Sequence, residues 1–181
     1  MTAPNTKDWL IRPVRPADAG AIAGMYNHYI EHTTITFEET PVTPEDMADR
    51  IRDITATYPW LVLEEGSTAL GYAYIHAWQA RCSYRASAEV SVYVQNGRLG
   101  GGMGSALMGA LIQAVKSGEQ GGCRIPIHAL VAGITQPNPR SVSLHEKFGF
   151  KKIAHFREIG YKFNTWLDVG YWELILEGAQ A

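Results

Sequence analysis

Apolar and polar positions follow two periods along this 181-residue chain, and the switches between them mark out its elements. Trp9 to Val14 alternates and predicts a first strand, closed by Arg15-Pro16. Asp18 then opens a helix in which Ile22, Met25, Tyr26, Tyr29 and Ile30 recur on one face. His32 to Pro44 is rich in Thr, carries Phe37, Glu38 and Glu39, and reads as an extended loop. A second helix is predicted over Glu45 to Thr57, with Pro44 at its start and Met47, Ile51 and Ile54 facing inward. Trp60 to Glu64 and Ala69 to Ala77 read as strands joined by a turn at Glu65-Gly66-Ser67. A polar and aromatic connector, Trp78 to Ser87, follows.

The next stretch, Glu89 to Ser105, places a β-branched run before a glycine-dense turn and then a helical spacing. Leu107, Met108, Leu111, Ile112 and Val115 continue that helix to a stop at Ser117-Gly118. Ile125 to Val131 predicts a buried strand. Asn138-Pro139-Arg140-Ser141 starts a short helix that ends at Phe148-Gly149-Phe150. Lys151 to Phe163 and Trp166 to Leu176 read as a final antiparallel pair of strands. With no internal repeat or linker, 1–181 is expected to be one α+β domain, with 1–7 as a disordered tail. Its sheet is expected to be central, mixed and mostly antiparallel, flanked by about four helices, and not doubly wound.

Composition narrows the function classes. A hydrophobic share of 46% and a charged share of 19% are those of an ordinary globular domain. A formal charge of −2 gives no basic field for nucleic acid, so any phosphorylated ligand must be held by local donors. Cys82 and Cys123 have no metal-ligand spacing and no activating base nearby in sequence, so neither a metal site nor an acyl-cysteine route is expected. The polar start and the lack of a long apolar run predict a soluble, cytoplasmic protein with no membrane partner.

The candidate chemistry lies in the Glu89 to Ser105 stretch. A strand, a glycine loop and a helix start together make a cradle of backbone N–H groups for phosphate. The loop has no Gly-Lys-Ser/Thr ending, which excludes a P-loop nucleotidase. It follows roughly the fourth strand, without the acidic residue a dinucleotide site needs about twenty positions on.

Tyr93-Val94 followed by Gly100-x-Gly102-x-Gly104-Ser105-Ala106-Leu107-Met108 resembles the acetyl-CoA pyrophosphate loop of the GNAT N-acetyltransferases. Asn138-x-x-Ser141-x-x-Leu144-His145-Glu146-Lys147-Phe148-Gly149-Phe150 resembles their second cofactor element. Four further blocks resemble one branch, the phosphinothricin and methionine sulfone or sulfoximine N-acetyltransferases. They are Tyr26-Asn27-His28-Tyr29-Ile30, Phe37-Glu38-Glu39, Tyr84-Arg85 ahead of Glu89 to Val94, and Lys162-Phe163-x-x-Trp166-x-Asp168-Val169. One departure stands out. The family signature Arg/Gln-x-x-Gly-x-Gly/Ala puts its basic or amide residue at Leu99, with Arg98 one position early. Either the loop shifts so that Arg98 reaches the pyrophosphate, or backbone donors from Gly100 to Ser105 suffice; we favour the second.

The resemblance implies direct acetyl transfer from acetyl-CoA to the primary amine of a small amino acid analogue, in a detoxifying homodimer with no metal. Glu89 is then the base that takes the amine proton, and its burial beside Tyr84 and Tyr93 would raise its pKa. His145, or water, returns a proton to the departing thiolate. Val92, Tyr93 and Val94 present backbone groups to the cofactor. Gly100, Gly101, Gly102, Met103, Gly104 and Ser105 hold its pyrophosphate, with Asn138 and Ser141 on its other side. Arg85 anchors the acceptor carboxylate through its two-pronged guanidinium, and Phe37, Glu38, Tyr84 and Phe163 wall the acceptor. Two rivals remain: acetylation of another amine (a polyamine, an aminoglycoside or a protein N-terminus), and a non-catalytic acyl-CoA sensor.

Overall fold

Seven strands form one sheet in the computed structural model, which describes residues 9–99, 101–118 and 126–176. Met1 to Lys7, Gly100, Cys123 and Ile125 lie outside the described residues. The strands are β1 (Trp9–Pro13), β2 (Trp60–Glu65), β3 (Thr68–Ala77), β4 (Ser87–Val94), β5 (Ala129–Gln136), β6 (Lys151–Lys162) and β7 (Thr165–Ile175). The helices are α1 (Ala19–His32), α2 (Pro44–Thr55), α3 (Met103–Ser117) and α4 (Pro139–Lys147). Across the sheet the order is β1-β2-β3-β4-β5-β7-β6, antiparallel throughout except between β4 and β5. This is the expected α+β architecture.

Side chains alternate across each strand, so the sheet carries two cores. On one face Leu61, Leu63, Ile75, Val90 and Leu130 pack with Leu107, Met108 and Leu111 of α3. On the other, Val62 and Tyr72 pack with Ile22 and Ile30 of α1 and with Met47 and Ile51 of α2. Most expected boundaries shift by one or two residues, as where α2 ends at Thr55 and not Thr57, and two differences have a clear physical reason. The helix α2 starts at Pro44 and not Glu45, because Thr43 and Asp46 form a reciprocal capping box ahead of it. The strand expected over Ile125 to Val131 instead runs Ala129–Gln136. Its ladder to β7 continues from Ala129 opposite Ile175 to Gln136 opposite Asp168, and this pairing carries the strand through Gly133.

The parallel ladder between β4 and β5 is short. It joins Ser87, Ala88 and Glu89 to Ala129, Leu130 and Val131, and then stops. Past Glu89, β4 stays with β3 as far as Val94 and β5 stays with β7 as far as Gln136. A cleft opens between them.

The turn from β1 into α1 is fixed by a buried ion cluster. The Arg12 guanidinium donates to both Asp18 oxygens at 2.7 and 2.8 Å and to Glu64 at 2.6 and 2.9 Å. Asp18 also accepts the Arg15 backbone N–H at 2.7 Å. The Arg12 hydrogen bond holds the Asp18 carboxyl below its ordinary range, against the opposing effect of burial. Such a group stabilises the fold fully above its unfolded pKa, and that stabilisation is lost as pH falls through the lowered value. Asp18→Asn is expected to cost about 3 kcal/mol at neutral pH, since it leaves a buried guanidinium short of a partner. It should also flatten the loss of stability below about pH 4; urea titrations at a series of pH values measure both effects.

Candidate active site

The cleft occupies about 650 Å³, and β4, the α3 start and α4 form its walls. Gly102 takes φ +91°, a left-handed conformation that suits glycine, and hands the chain directly into α3. No side chain caps this helix start, so its first N–H groups are left to a ligand. Met103, Gly104 and Ser105 all line the cleft, as do Val92, Tyr93 and Val94. Gly100 lies outside the described residues. The Val94 carbonyl accepts the Tyr29 hydroxyl at 2.5 Å, which ties the strand end to α1.

On the opposite wall Asn138 caps α4, its Oδ1 accepting the Ser141 N–H at 3.1 Å. The capping role thus uses the oxygen, and Asn138 and Ser141 both line the cleft. At the departure position, Leu99 is exposed and lines the cleft without charge. Arg98 lies 3.8 Å from Glu65, both in solvent. Arg98 and Arg140 both line the cleft, and a further cation lies on the cradle itself: Lys147 Nζ donates to Ser105 Oγ at 3.0 Å. Sequence reading missed this residue's part, although it lies nine positions after Asn138 on the cleft-facing side of the same short helix.

Glu89 sits at the last pair of the parallel ladder, where the two strands part. Burial raises its carboxyl above the ordinary range; the opposing influences are the His76 charge and the Gly133 N–H bonded to it. His76 Nε2 is 3.9 Å from Glu89 Oε2. Gly133 packs closely here: a Cβ would sit in ordinary contact with Glu89, at 3.4 Å, and 3.2 Å from the Tyr171 ring, which would have to give slightly. The neighbours are therefore His76, Gly133 and Tyr171, and not the expected Tyr84 and Tyr93. Tyr93 packs instead against Tyr26, Tyr29 and Tyr72. None of the three neighbours was visible as a site residue in sequence, since each depends on strand register.

Phe37 and Glu38 belong to the α1–α2 loop. The Phe37 ring lies on Gly160, where a Cβ would come within 2.2 Å of it. Glu38 is occupied: Arg50 grips both its oxygens at 2.8 and 2.9 Å, and Tyr26 donates to it at 2.9 Å. Lys162, buried, donates to the Thr36 carbonyl at 2.8 Å and locks the loop to β6. Tyr84 is exposed on the turn before β4, and the Arg85 guanidinium donates to the Cys82 carbonyl at 3.4 Å. Phe163 stands at the β6–β7 turn with φ +50°, beside a second cavity of about 490 Å³ that it lines with His32, Asn138 and Arg140.

His145 does not line the cleft. Its ring is buried edge-on to Phe150, and its Nδ1 lies 2.8 Å from the Ser141 carbonyl. Burial lowers its pKa, which favours a neutral ring with no acidic proton to give near neutral pH. Among the described residues no cluster of three or more His, Cys, Asp or Glu side chains is placed to hold a metal, and no helix is long and apolar enough to cross a membrane.

A partly buried carboxyl on β4 thus precedes an anion cradle at the α3 start, an arrangement suited to a phosphorylated acyl carrier and an acceptor that must lose a proton. Residues 11–170 match the model described as an acetyltransferase (GNAT) domain, and the chain belongs to that family of N-acetyltransferases. The phosphinothricin N-acetyltransferase of Streptomyces viridochromogenes is 36% identical over 171 residues, covering 94% of this chain and 90% of that protein. The L-methionine sulfoximine/L-methionine sulfone acetyltransferase of Salmonella typhimurium is 34% identical, covering 92% and 94%. The solved structure of yncA from Salmonella typhimurium with its cofactor acetyl-CoA matches with a TM-score of 0.88 at 31% identity, over 96% of this chain and 97% of that one.

Proposed function

We propose that this protein moves the acetyl group of acetyl-CoA directly onto the primary amine of a small amino acid analogue of the phosphinothricin, methionine sulfoximine or methionine sulfone type. The observation that carries the reading is Glu89: a partly buried carboxyl, raised in pKa, at the point where β4 leaves β5. An ammonium acceptor cannot attack until it loses a proton, and a carboxylate with a raised pKa is a stronger base for that step. Acetyl-CoA supplies the activated acetyl group. Backbone donors at the α3 start, with Lys147 beside them, hold its phosphates, and the Asn138 amide faces its pantetheine arm. Lys147 takes the part of the charged residue that Leu99 lacks. Unpaired β4 groups beyond Glu89 are the donors able to face the thioester oxygen as charge grows on it.

On the acceptor side, Arg85 is proposed to hold the α-carboxylate and Phe37, over Gly160, to wall the apolar part. Glu38, already bound by Arg50 and Tyr26, shapes this wall without contacting the amine. Since His145 is neutral and away from the cleft, water is the better source of the proton for the thiolate. The protein is further proposed to act as a homodimer in the cytoplasm, detoxifying such analogues. The reason for the dimer is the sheet's outer hairpin, which exposes Ile153, Phe156, Ile159 and Tyr161 on the edge strand β6 and Trp166 beside them on β7.

Glu89→Gln should lower kcat at pH 7 by about 10² to 10³ while leaving the acetyl-CoA Kd within about twofold; free-thiol release and calorimetry read the two quantities. In the parent protein kcat/KM should rise with pH through a limb above the ordinary carboxylate range, because the ionised form is the base. Wild-type turnover in the variant across a panel of the three analogues would remove Glu89 from the chemistry. Lys147→Ala is expected to weaken acetyl-CoA binding roughly five- to tenfold, the loss of one charged hydrogen-bonding group, and the deficit should shrink with added salt. Trp166→Glu should convert a dimer into monomers in sedimentation velocity, with the acetyl-CoA Kd little changed.

A further inference from the structure

The reaction proposed above releases one proton per turnover. The acceptor enters as an ammonium and leaves as a neutral amide, so nitrogen loses two hydrogens. One ends on sulfur as coenzyme A leaves as a thiol, and the other must reach the medium. Glu89 collects that proton at a largely buried position, so it needs a way out once acceptor and acetyl-CoA cover the site.

His76 stands directly opposite Glu89 in the β3–β4 ladder, with its Nε2 3.9 Å from Glu89 Oε2. The other ring nitrogen, Nδ1, lies 3.1 Å from the Ala77 carbonyl. A carbonyl oxygen only accepts, so Nδ1 carries the hydrogen of the neutral ring and Nε2 turns a bare lone pair toward the carboxyl. A bare lone pair facing a carboxyl in this way is placed to take a proton from it. The separation exceeds a hydrogen bond at rest, and catalytic contacts of this kind tighten when a site is loaded. The ring is partly exposed, at 36% of its side-chain surface, so it has access to water. Among the described residues, the other groups around the pair are these. On β3 Tyr74 lies 5.8 Å from the His76 ring, on β5 Gly133 supplies only a backbone N–H, and on β7 Tyr171 has its own pKa raised by burial. Glu38 and Arg50, which reach Tyr74 from the helix side, are paired with each other.

We infer that His76 is a relay residue that acts through Glu89, receiving the acceptor's proton and passing it to solvent. The acceptor N–H bond breaks as Glu89 binds the hydrogen. The Glu89 O–H bond then breaks as Nε2 takes it, and the imidazolium gives the proton to water, which restores both groups for the next turnover. This inference rests on Glu89 being the base.

His76→Gln keeps a polar side chain of similar reach but cannot carry a proton. It should lower kcat at saturating acceptor about tenfold at pH 7, leave the KM for acetyl-CoA unchanged, and move the acid limb of kcat/KM upward, because a positive neighbour that favours the Glu89 carboxylate is gone. In His76→Ala, added imidazole should restore a several-fold part of the lost rate. Wild-type kcat and pH profile in His76→Gln would overturn the relay, and so would a lower rate with an unmoved profile and no imidazole rescue, which is the pattern of a merely structural residue. A measurement on the unaltered protein, independent of any variant's folding, is the ring ¹⁵N shifts of neutral His76: Nδ1–H is expected, and Nε2–H would overturn the relay. Glu89→Gln separates the two levels. Full activity there removes the base and the relay together, whereas an inactive Glu89→Gln beside a normal His76→Gln removes the relay alone.

Discussion

A parallel ladder of three residue pairs holds β4 to β5, and its early end is the constraint on which the rest of the site depends. Peptide groups on both strands beyond Glu89 lose each other as partners, and a buried peptide group without one is costly. The cleft answers that need by admitting water or a ligand along the strand. The same end point places Glu89 where it is mostly buried yet open on one side, so its carboxyl is raised without being sealed in. Glu89 and the Val92 to Val94 edge of the cleft lie on one strand, so their separation is set by β-strand rise; the cradle follows further along the chain, at the α3 start.

Charge in the site is local. With a net charge of −2 the chain offers no long-range attraction for a phosphorylated ligand. The α3 start supplies directed N–H groups, and Lys147 brings a cation to them across 42 residues of sequence through its bond to Ser105. Glu89 is balanced in the same manner, with burial on one side and His76 and the Gly133 N–H on the other. Neither arrangement relies on the residue that the family signature would put at Leu99.

The acceptor side is braced from both directions. Tyr29 ties α1 to the end of β4, while Lys162 and Gly160 fasten the Thr36–Phe37 segment to β6. Arg50 and Tyr26 hold Glu38 from the two helices. A loop that reads as irregular in sequence is thereby fixed by hydrogen bonds to three separate elements, which limits the shapes of acceptor that can fit beside Phe37.

The sequence by itself determined the elements, the two-sided sheet, the glycine cradle and the strand carrying Glu89. Each of these follows from spacing within one stretch of chain, and local geometry converts spacing into a face or a turn. It also carried the family blocks, because these are contiguous. Tertiary structure alone decided which groups surround Glu89. His76, Gly133 and Tyr171 come from three strands, and whether they meet depends on registers that loops of unfixed length leave open. It likewise brought Lys147 to Ser105 and turned His145 into the interior, since which side of α4 meets the cleft is set by how that helix packs against the sheet. The length of β5 was decided the same way, by pairing with β7 and not by anything local to Gly133.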